Sequence, residues 1–475
     1  MRGVLSAAGY VPYRRLDRSE IAGFLGKGGG QGARSVASYD EDTTTMAVEA
    51  GRLALRSVDG RQPEQVWFAT AEPAYLEKTN ATAIHAALRL DSDMPALDVG
   101  GAVRSGIGTL RAALTASGTT LVTAGGWRGG MPASPDEAGS GDGASAVLVG
   151  EGDGVLAEHL GSGSATEEFV DRWRQPAERT TRSWEERFAE PIYAALADEA
   201  WNQALKAAEL SVEQVDRVAV VGTHARAMKR VGRGLGVADD VVVDDLSASV
   251  GNTGTAHPGL LLASMLEDAE PGQVLAVVSR VDGADVLVFR ATDAVTGWQP
   301  ARTVSAQVDA AGTVTYAKFL EWRGELTPQP PNRPEPGRTS SSVAYRNVDW
   351  KFGFVGSRDE QSGALHLPPS KVSFATGSTD MEPAPMADVP ATVVTFTVDR
   401  LAYSPSPPIV FAVVDFDGGG RFPVELTDVE AEDVRIGDRV EMTFRRLGTS
   451  EGIHNYFWKA RPIRATAAAS GQHSN

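Results

Sequence analysis

Three polar residues stand where a chain can present them to a ligand: Glu72 in ATAEP just past the apolar run QVWFAT, His224 closing RVAVVGTH, and Asn252 in VGNTG. A carboxylate beyond a strand can be tuned by burial for proton transfer, and a strand-end histidine is well placed to polarise a carbonyl. Gly251 and Gly254 permit a tight turn around Asn252 beside a ligand. Each has a plainer reading: a solvated loop glutamate, a structural histidine, an Asn-Gly-type turn. The exclusions are firmer. The chain has no cysteine, so disulfides, thiolate catalysis and thiolate zinc ligation are all ruled out.

The elements that must carry these residues alternate between apolar β-branched runs and helical stretches, which predicts layered α/β packing up to about residue 295. Strand candidates are QVWFAT, PALDVG, TTLVTA, ASAVLVG, DRVAVVGTH and QVLAVVS. Between them TTTMAVEAGRLALRS and EPIYAALADEAWNQALKAAEL carry apolar residues at i, i+3 and i+4, with carboxylates at their leading ends. A polar, helical stretch at about 163 to 212 separates two sheet-forming runs, which suggests two similar halves rather than one large sheet.

At 475 residues the chain is too long for one core. Its 42% hydrophobic and 23% charged residues are ordinary for a globular protein, and no run approaches the roughly 20 apolar residues of a membrane span. The start, MRGVLSAAGYVPYRR, lacks the long apolar core of a secretory signal, so the expected location is cytoplasmic. A formal charge of -17 opposes attraction to nucleic acid or anionic lipid. From about 296 to 345 the text includes TPQPPNRPEPGRTSSS, which predicts an extended linker. Beyond it, ATVVTFTVDRLAY, PIVFAVVDF, RFPVELTDV and DRVEMTFRRL, with GGG at 418 to 420, suit a small barrel. The tail at 465–475, ATAAASGQHSN, has nothing large to bury.

Several collinear segments over most of residues 1 to 290 resemble the archaeal and bacterial HMG-CoA synthases: AAGYVPYRRLDRSEI, YDEDTTTMAVEAGRLAL, ATAEPAYLEKTNAT, DVGGAVRSGIGTLRAAL, DGASAVLVG, VVGTHARAMKRV and SVGNTGTAHPGLLLASMLEDAEPG. The resemblance implies a thiolase fold over 1–295, two similar halves in five α/β/α/β/α layers. It implies that Glu72 corresponds to the general acid/base, that His224 and Asn252 correspond to the pair that organises the acyl-CoA oxygens, and that Arg226 and Lys229 face the CoA phosphates. The nucleophile is missing, because VRSG aligned with the family's Cys-x-x-Gly puts Val103 at the cysteine position. Ser105 lacks the spacing of a substitute and would need an adjacent base. Arg104 is a large cation where the family has a smaller or aromatic group, and Glu72 is a candidate salt-bridge partner for it. A second departure is SRVDGADVLVF at 279 to 289, where the family carries a glycine- and serine-rich loop.

Downstream, TYAKFLEWRGEL and GFVGSRDEQSGALHLPPSKVSFATGSTDMEP resemble the acyl-CoA-associated OB-fold proteins, whose barrel follows a rubredoxin-like zinc ribbon. That places a degenerate ribbon at 346–384 and an OB barrel at 385–464. Asp359 with Ser362, and Ser373 with Thr376, fall at the paired cysteine positions. One carboxylate and three hydroxyls are poor zinc ligands, so a metal-free knuckle held by local hydrogen bonds is expected. The resemblance implies a coenzyme A thioester as ligand, a homodimer through the thiolase-fold half, and a thiolase-family partner bridged by the barrel. Two functions follow: a non-condensing acyl-CoA-binding or scaffold subunit, or an enzyme of aldolase, lyase or acyltransferase type using Glu72, His224 and Asn252 without an acyl-cysteine.

Overall fold

The computed structural model describes residues 1–58, 60–176, 178–223, 234–330 and 332–464. His224, Arg226, Lys229 and the tail from 465 lie outside the described residues. The chain forms two compact units: Met1–Ala37, Asp42–Thr82 and Ser92–Phe319 make the first, while Ser38–Glu41, Ala83–Asp91 and everything from Leu320 make the second.

The first unit is built on nine strands: β1 (Arg2–Tyr10), β2 (Gln65–Thr70), β3 (Ala96–Gly100), β4 (Thr120–Trp127), β5 (Asp142–Glu151), β6 (Ala157–Ala165), β7 (Arg217–Gly222), β8 (Val274–Arg280) and β9 (Ala284–Ala291). Their order is β7-β8-β9-β6-β1-β5-β4-β2-β3. An internal repeat is visible in the pairing. In the first half β1 runs antiparallel to β5, β5 antiparallel to β4, and β4 parallel to β2, which is parallel to β3. In the second half β6 runs antiparallel to β9, β9 antiparallel to β8, and β8 parallel to β7, while Val242 supplies a single parallel bridge to Val218 where β3 would lie.

The two halves are joined into one continuous sheet, contrary to the separate sheets expected, because Gly3 and Val4 pair with Glu158 and Ala157. Gly3 makes this possible: a Cβ there would stand 2.0 Å from the Ala157 carbonyl oxygen. Strands β1, β6 and β9 escaped the sequence reading. β1 and β6 are made of small residues, RGVLSAAGY and AEHLGSGSA, with little β-branched signal.

Helices α1 (Thr43–Arg56) and α3 (Glu186–Ala208) cover the outer faces, and α2 (Ser105–Thr115) and α4 (His257–Glu267) lie between the halves. A capping box starts α1: the Asp42 carboxylate accepts from the Thr45 amide while the Thr45 hydroxyl accepts from that of Asp42. Ile107 and Leu110 of α2 and Leu261 and Met265 of α4 share one buried cluster with Val147 and Val149 from one half and Val277 and Phe289 from the other. On the far face, Ala200, Trp201 and Ala204 of α3 pack on Val286 and Val288. The result is five layers, α/β/α/β/α. Apolar burial on this scale, at about 25 cal/mol per Å², is what holds such layers together.

The region expected to be an extended linker is partly folded. Val304–Asp309 and Tyr316–Arg323 are helical, and Val304, Tyr316 and Phe319 are buried, while among the described residues the proline-rich stretch after them has neither helix nor strand until Ser341. Spaced apolar residues in TVSAQVDAAGTVTYAKFL carried that signal.

In the second unit a closed barrel is formed by β10 (Ala391–Asp399), β11 (Ile409–Phe416), β12 (Arg421–Leu426), β13 (Arg439–Ser450) and β14 (Ile453–Pro462), in the order β10-β11-β12-β14-β13. Closure comes from Ala391 and Thr392 pairing with Val440 and Arg439. Val393, Ala412, Val414, Phe444 and Trp458 are buried, each on an alternate position of its strand. Ahead of the barrel, Val355–Asp359 pairs with Leu365–His366 on one side and Met381–Pro385 on the other.

Candidate functional site

A strand end delivers Glu72. Glu72 lies two residues beyond the end of β2, and His224 lies two residues beyond the end of β7, the equivalent strand of the repeat. Helices α2 and α4 are likewise equivalent, so Val103, two residues before α2, corresponds to Thr255, two before α4. The starts of the two helices meet closely: a Cβ on Gly106 would lie 1.9 Å from the Thr255 carbonyl oxygen, which explains the glycine of VRSG.

Glu72 is fixed by its backbone and clamped by arginine. Its amide donates to the Thr70 hydroxyl at 3.0 Å, and its carbonyl accepts from the Thr43 hydroxyl at 2.7 Å. The carboxylate, 16% exposed, sits 3.3 Å from the Arg174 guanidinium, which also donates to the Ala71 carbonyl at 2.8 Å. Burial pushes the Glu72 carboxyl above the usual range, against the opposing pull of Arg174 and Arg128. Arg174, not Arg104, is the partner of Glu72. Arg104 turns the other way: its Nε donates to Asp285 at 2.7 Å, and the rest of its guanidinium to the carbonyls of Asp282 and Ala165 and the Ser164 hydroxyl. Asp282 and Asp285 belong to the altered segment SRVDGADVLVF, so the two departures at Arg104 and at 279–289 are one contact.

Asn252 is fully engaged. Its Oδ1 accepts from the Gly254 amide at 2.8 Å and from Arg128 at 3.3 Å, and its Nδ2 donates to the Gly222 carbonyl at 2.7 Å, at the end of β7. Gly251 and Gly254 have φ of 82° and 61°, the left-handed region glycine tolerates. Arg128 is buried. It reaches Asp136 at 3.4 Å, and Asp136 also holds Arg172 at 2.5 Å. Burial, with Arg172 alongside, lowers the Arg128 guanidinium to about 10 despite Asp136, Glu72 and Asp142.

These groups open on a cleft of about 1030 Å³ lined by Arg128, Asp136, Arg172, Gly222, Asn252 and His257 among others. His257 is buried: its Nδ1 accepts from the Thr253 amide at 3.3 Å and its Nε2 donates to the Asp245 carbonyl at 3.1 Å. Burial holds it down to about 4, so at neutral pH it is an uncharged positioning group for the Asn252 turn. The Ser105 hydroxyl donates to the Gly100 carbonyl at 3.4 Å, not to a base that could activate it. Arg128 bonds Asn252 directly, and its charge also acts on Glu72, whose direct partner is Arg174. Arg128, Arg172, Arg174 and His257 were missed, because a lone arginine in GWRGG or DRWR reads as solvated until the fold buries it.

In the second unit the four ribbon positions converge. The buried Asp359 carboxylate accepts from the Ser362 hydroxyl at 2.6 Å, from the Thr376 hydroxyl at 2.8 Å, and from the Gln361 amide at 2.9 Å. The Ser362 hydroxyl above all, then those of Ser373 and Thr376, hold Asp359 well below the usual carboxylate range. No cluster of three or more His, Cys, Asp or Glu suited to a metal occurs among the described residues.

The layers, the repeat and the barrel define a thiolase-fold protein carrying an OB-fold domain. Residues 385–445 match the family described as ChsH2, C-terminal OB-fold domain. The thiolase-fold part is homologous to hydroxymethylglutaryl-CoA synthases. Those of Methanopyrus kandleri and Archaeoglobus fulgidus are each 28% identical, over 68% and 69% of this chain and 97% and 99% of their own length. Among solved structures, MvaS in complex with 3-hydroxy-3-methylglutaryl coenzyme A superposes with a TM-score of 0.58 at 21% identity, covering 69% of this chain and 92% of that one. The 3-oxoacyl-(acyl carrier protein) synthase III of Pseudomonas aeruginosa gives 0.54 at 19% identity, covering 61% and 98%. Among the described residues no helix is long and apolar enough to cross a membrane.

Proposed function

We propose that the chain is a non-condensing relative of the HMG-CoA synthases that binds an acyl-CoA in its first unit and works as a binding or scaffold subunit beside a thiolase-family protein. One observation carries this reading: Asn252 persists on the cleft beside Arg128, and Glu72 persists against Arg174, while the nucleophile position is Val103 in a chain without cysteine. Condensation in this fold needs a thiol, and no thiol exists to be acylated. His224, Arg226 and Lys229 follow β7 directly in sequence and complete the acyl-CoA site in this reading. The ribbon positions suit hydroxyl-to-carboxylate bonding rather than zinc, so the knuckle is metal-free. The protein works in the cytoplasm as a homodimer.

Titration calorimetry with coenzyme A and acetyl-CoA tests the binding. Micromolar affinity, weakened by Asn252→Ala, supports the proposal; no heat with either ligand sinks it.

A second reading, an enzyme without a covalent intermediate, is favoured by one feature: burial raises Glu72 toward a useful general base. On a β-hydroxyacyl-CoA, Glu72 would take the β-hydroxyl proton. The Cα–Cβ bond would break to give a carbonyl product and a thioester enolate, which regains a proton at Cα. Turnover abolished by Glu72→Gln supports this reading; turnover with unchanged rate in that variant dismisses it.

A further inference from the structure

Ser38–Glu41 is separated from the barrel by some 350 residues of sequence, yet it is part of the second unit. Its side chains and backbone are held there by β12, β13 and β14. Arg445, fully buried, lies 3.5 Å from Asp40, 3.1 Å from Glu41 and 2.9 Å from Asp428. Lys459, 1% exposed, lies 2.9 Å from Asp40 and pairs with Glu425 as well. The Thr427 hydroxyl donates to Asp40 at 2.9 Å. The backbone is read too: the Arg446 amide donates to the Asp40 carbonyl at 2.8 Å and its guanidinium to the Tyr39 carbonyl at 3.1 Å. Tyr39 donates to Glu425 at 3.0 Å, lies under Lys459 at 4.8 Å from the ring centroid, and packs beside Trp322 at 6.1 Å.

Cations as buried as Arg445 and Lys459 need partners with matched geometry. Here much of the match comes from a turn with the chemistry of a peptide ligand: an aromatic ring, two consecutive carboxylates, and carbonyls that meet an edge donor. Burial alone would raise the Asp40 carboxyl, but Lys459 and Arg445 outweigh it and hold it ionised. The turn also prepares itself, since the Glu41 carboxylate accepts from the Ser38 amide at 2.8 Å and the Glu41 amide donates to the Ser38 carbonyl at 3.0 Å.

We propose that the OB-fold unit carries a recognition socket for an acidic Tyr-Asp-Glu turn, built from Arg445, Arg446, Lys459 and Thr427 and filled in cis by Tyr39, Asp40 and Glu41. A partner chain presenting the same turn would have to compete with the cis one. This goes beyond the acyl-CoA reading and does not depend on it.

The test uses the full chain and a fluorescein-labelled peptide with the sequence of residues 36–43. A chain carrying Tyr39→Ala, Asp40→Ala and Glu41→Ala has its socket vacated. By fluorescence anisotropy it is expected to bind the peptide at least tenfold more tightly than the native chain does. The gain should disappear when Arg445→Met is added or when the peptide carries Asp40→Asn. Equal binding by the native and vacated chains, or binding indifferent to both substitutions, overturns the socket. Should the vacated chain fail to fold, a double-mutant cycle decides. Asp40→Asn and Lys459→Met are each expected to lower the melting temperature, and together by clearly less than the sum. Additive losses would refute the proposal.

Discussion

At Val103 a side chain without any nucleophilic atom precedes a helix N-terminus, the place where a thiol would be acidified by the helix dipole. Incubation with acetyl-CoA should therefore leave the intact mass of the native chain unchanged, and an acetyl adduct mapped to Ser105 would contradict this. Val103→Cys should become singly acetylated, because Gly106 still allows α2 to approach Thr255 as the site requires. A Val103→Cys chain that stays unmodified over hours would count against the alignment of Val103 with the family's cysteine. The residues themselves were only partly legible. Glu72 and Asn252 stand out by type and position, whereas the arginines that hold them come from loops whose burial a sequence does not state.

Between elements, one contact makes a pH prediction. Glu267 closes α4, and its two carboxylate oxygens accept from the Val304 amide at 2.9 and 3.0 Å, at the start of the helix Val304–Asp309. Burial, with Asp268 nearby, raises Glu267 from 4.5 to about 7 in spite of that bond. The native state then holds a proton that the unfolded chain gives up, so stability falls as pH rises from 4.5 through 7. The loss is on the order of 3 kcal/mol at most, less where solvent screens the group. Glu267→Gln keeps an acceptor for Val304 and removes the titration. Its melting temperature relative to the native protein should climb between pH 5 and pH 8, and a constant difference would disprove the assignment.

The knuckle makes a second element-scale prediction. Asp359 is the common acceptor of its hydroxyls, so Asp359→Ala should lower the melting temperature of the second unit while chelators change nothing. Stoichiometric zinc in the purified protein would contradict the metal-free knuckle.

For the molecule as a whole, the expected dimer would use β3. It is one of the two outer strands of the nine, and Leu97 on it is 39% exposed. A bare edge of this kind is costly unless paired or protected. Light scattering should give a dimer, and deleting residues 385–475 should preserve it while abolishing co-purification of a thiolase-family partner. A monomer, or a partner retained without the barrel, would count against this assembly.

Periodicity and the run of family-like segments determined the fold class and the OB barrel, because strands of β-branched residues and amphipathic helices announce themselves locally. The missing cysteine determined what the site cannot do, since that is a matter of atoms rather than geometry. Tertiary structure alone decided the rest. It joined the halves through Gly3 and Val4, gave Glu72 to Arg174 and Arg104 to Asp285, and folded part of the expected linker onto the first unit. It also placed a four-residue turn from the N-terminal half among buried cations of the barrel unit. Such pairings link residues about 100 to 400 positions apart, and only the folded chain determines which buried charge meets which.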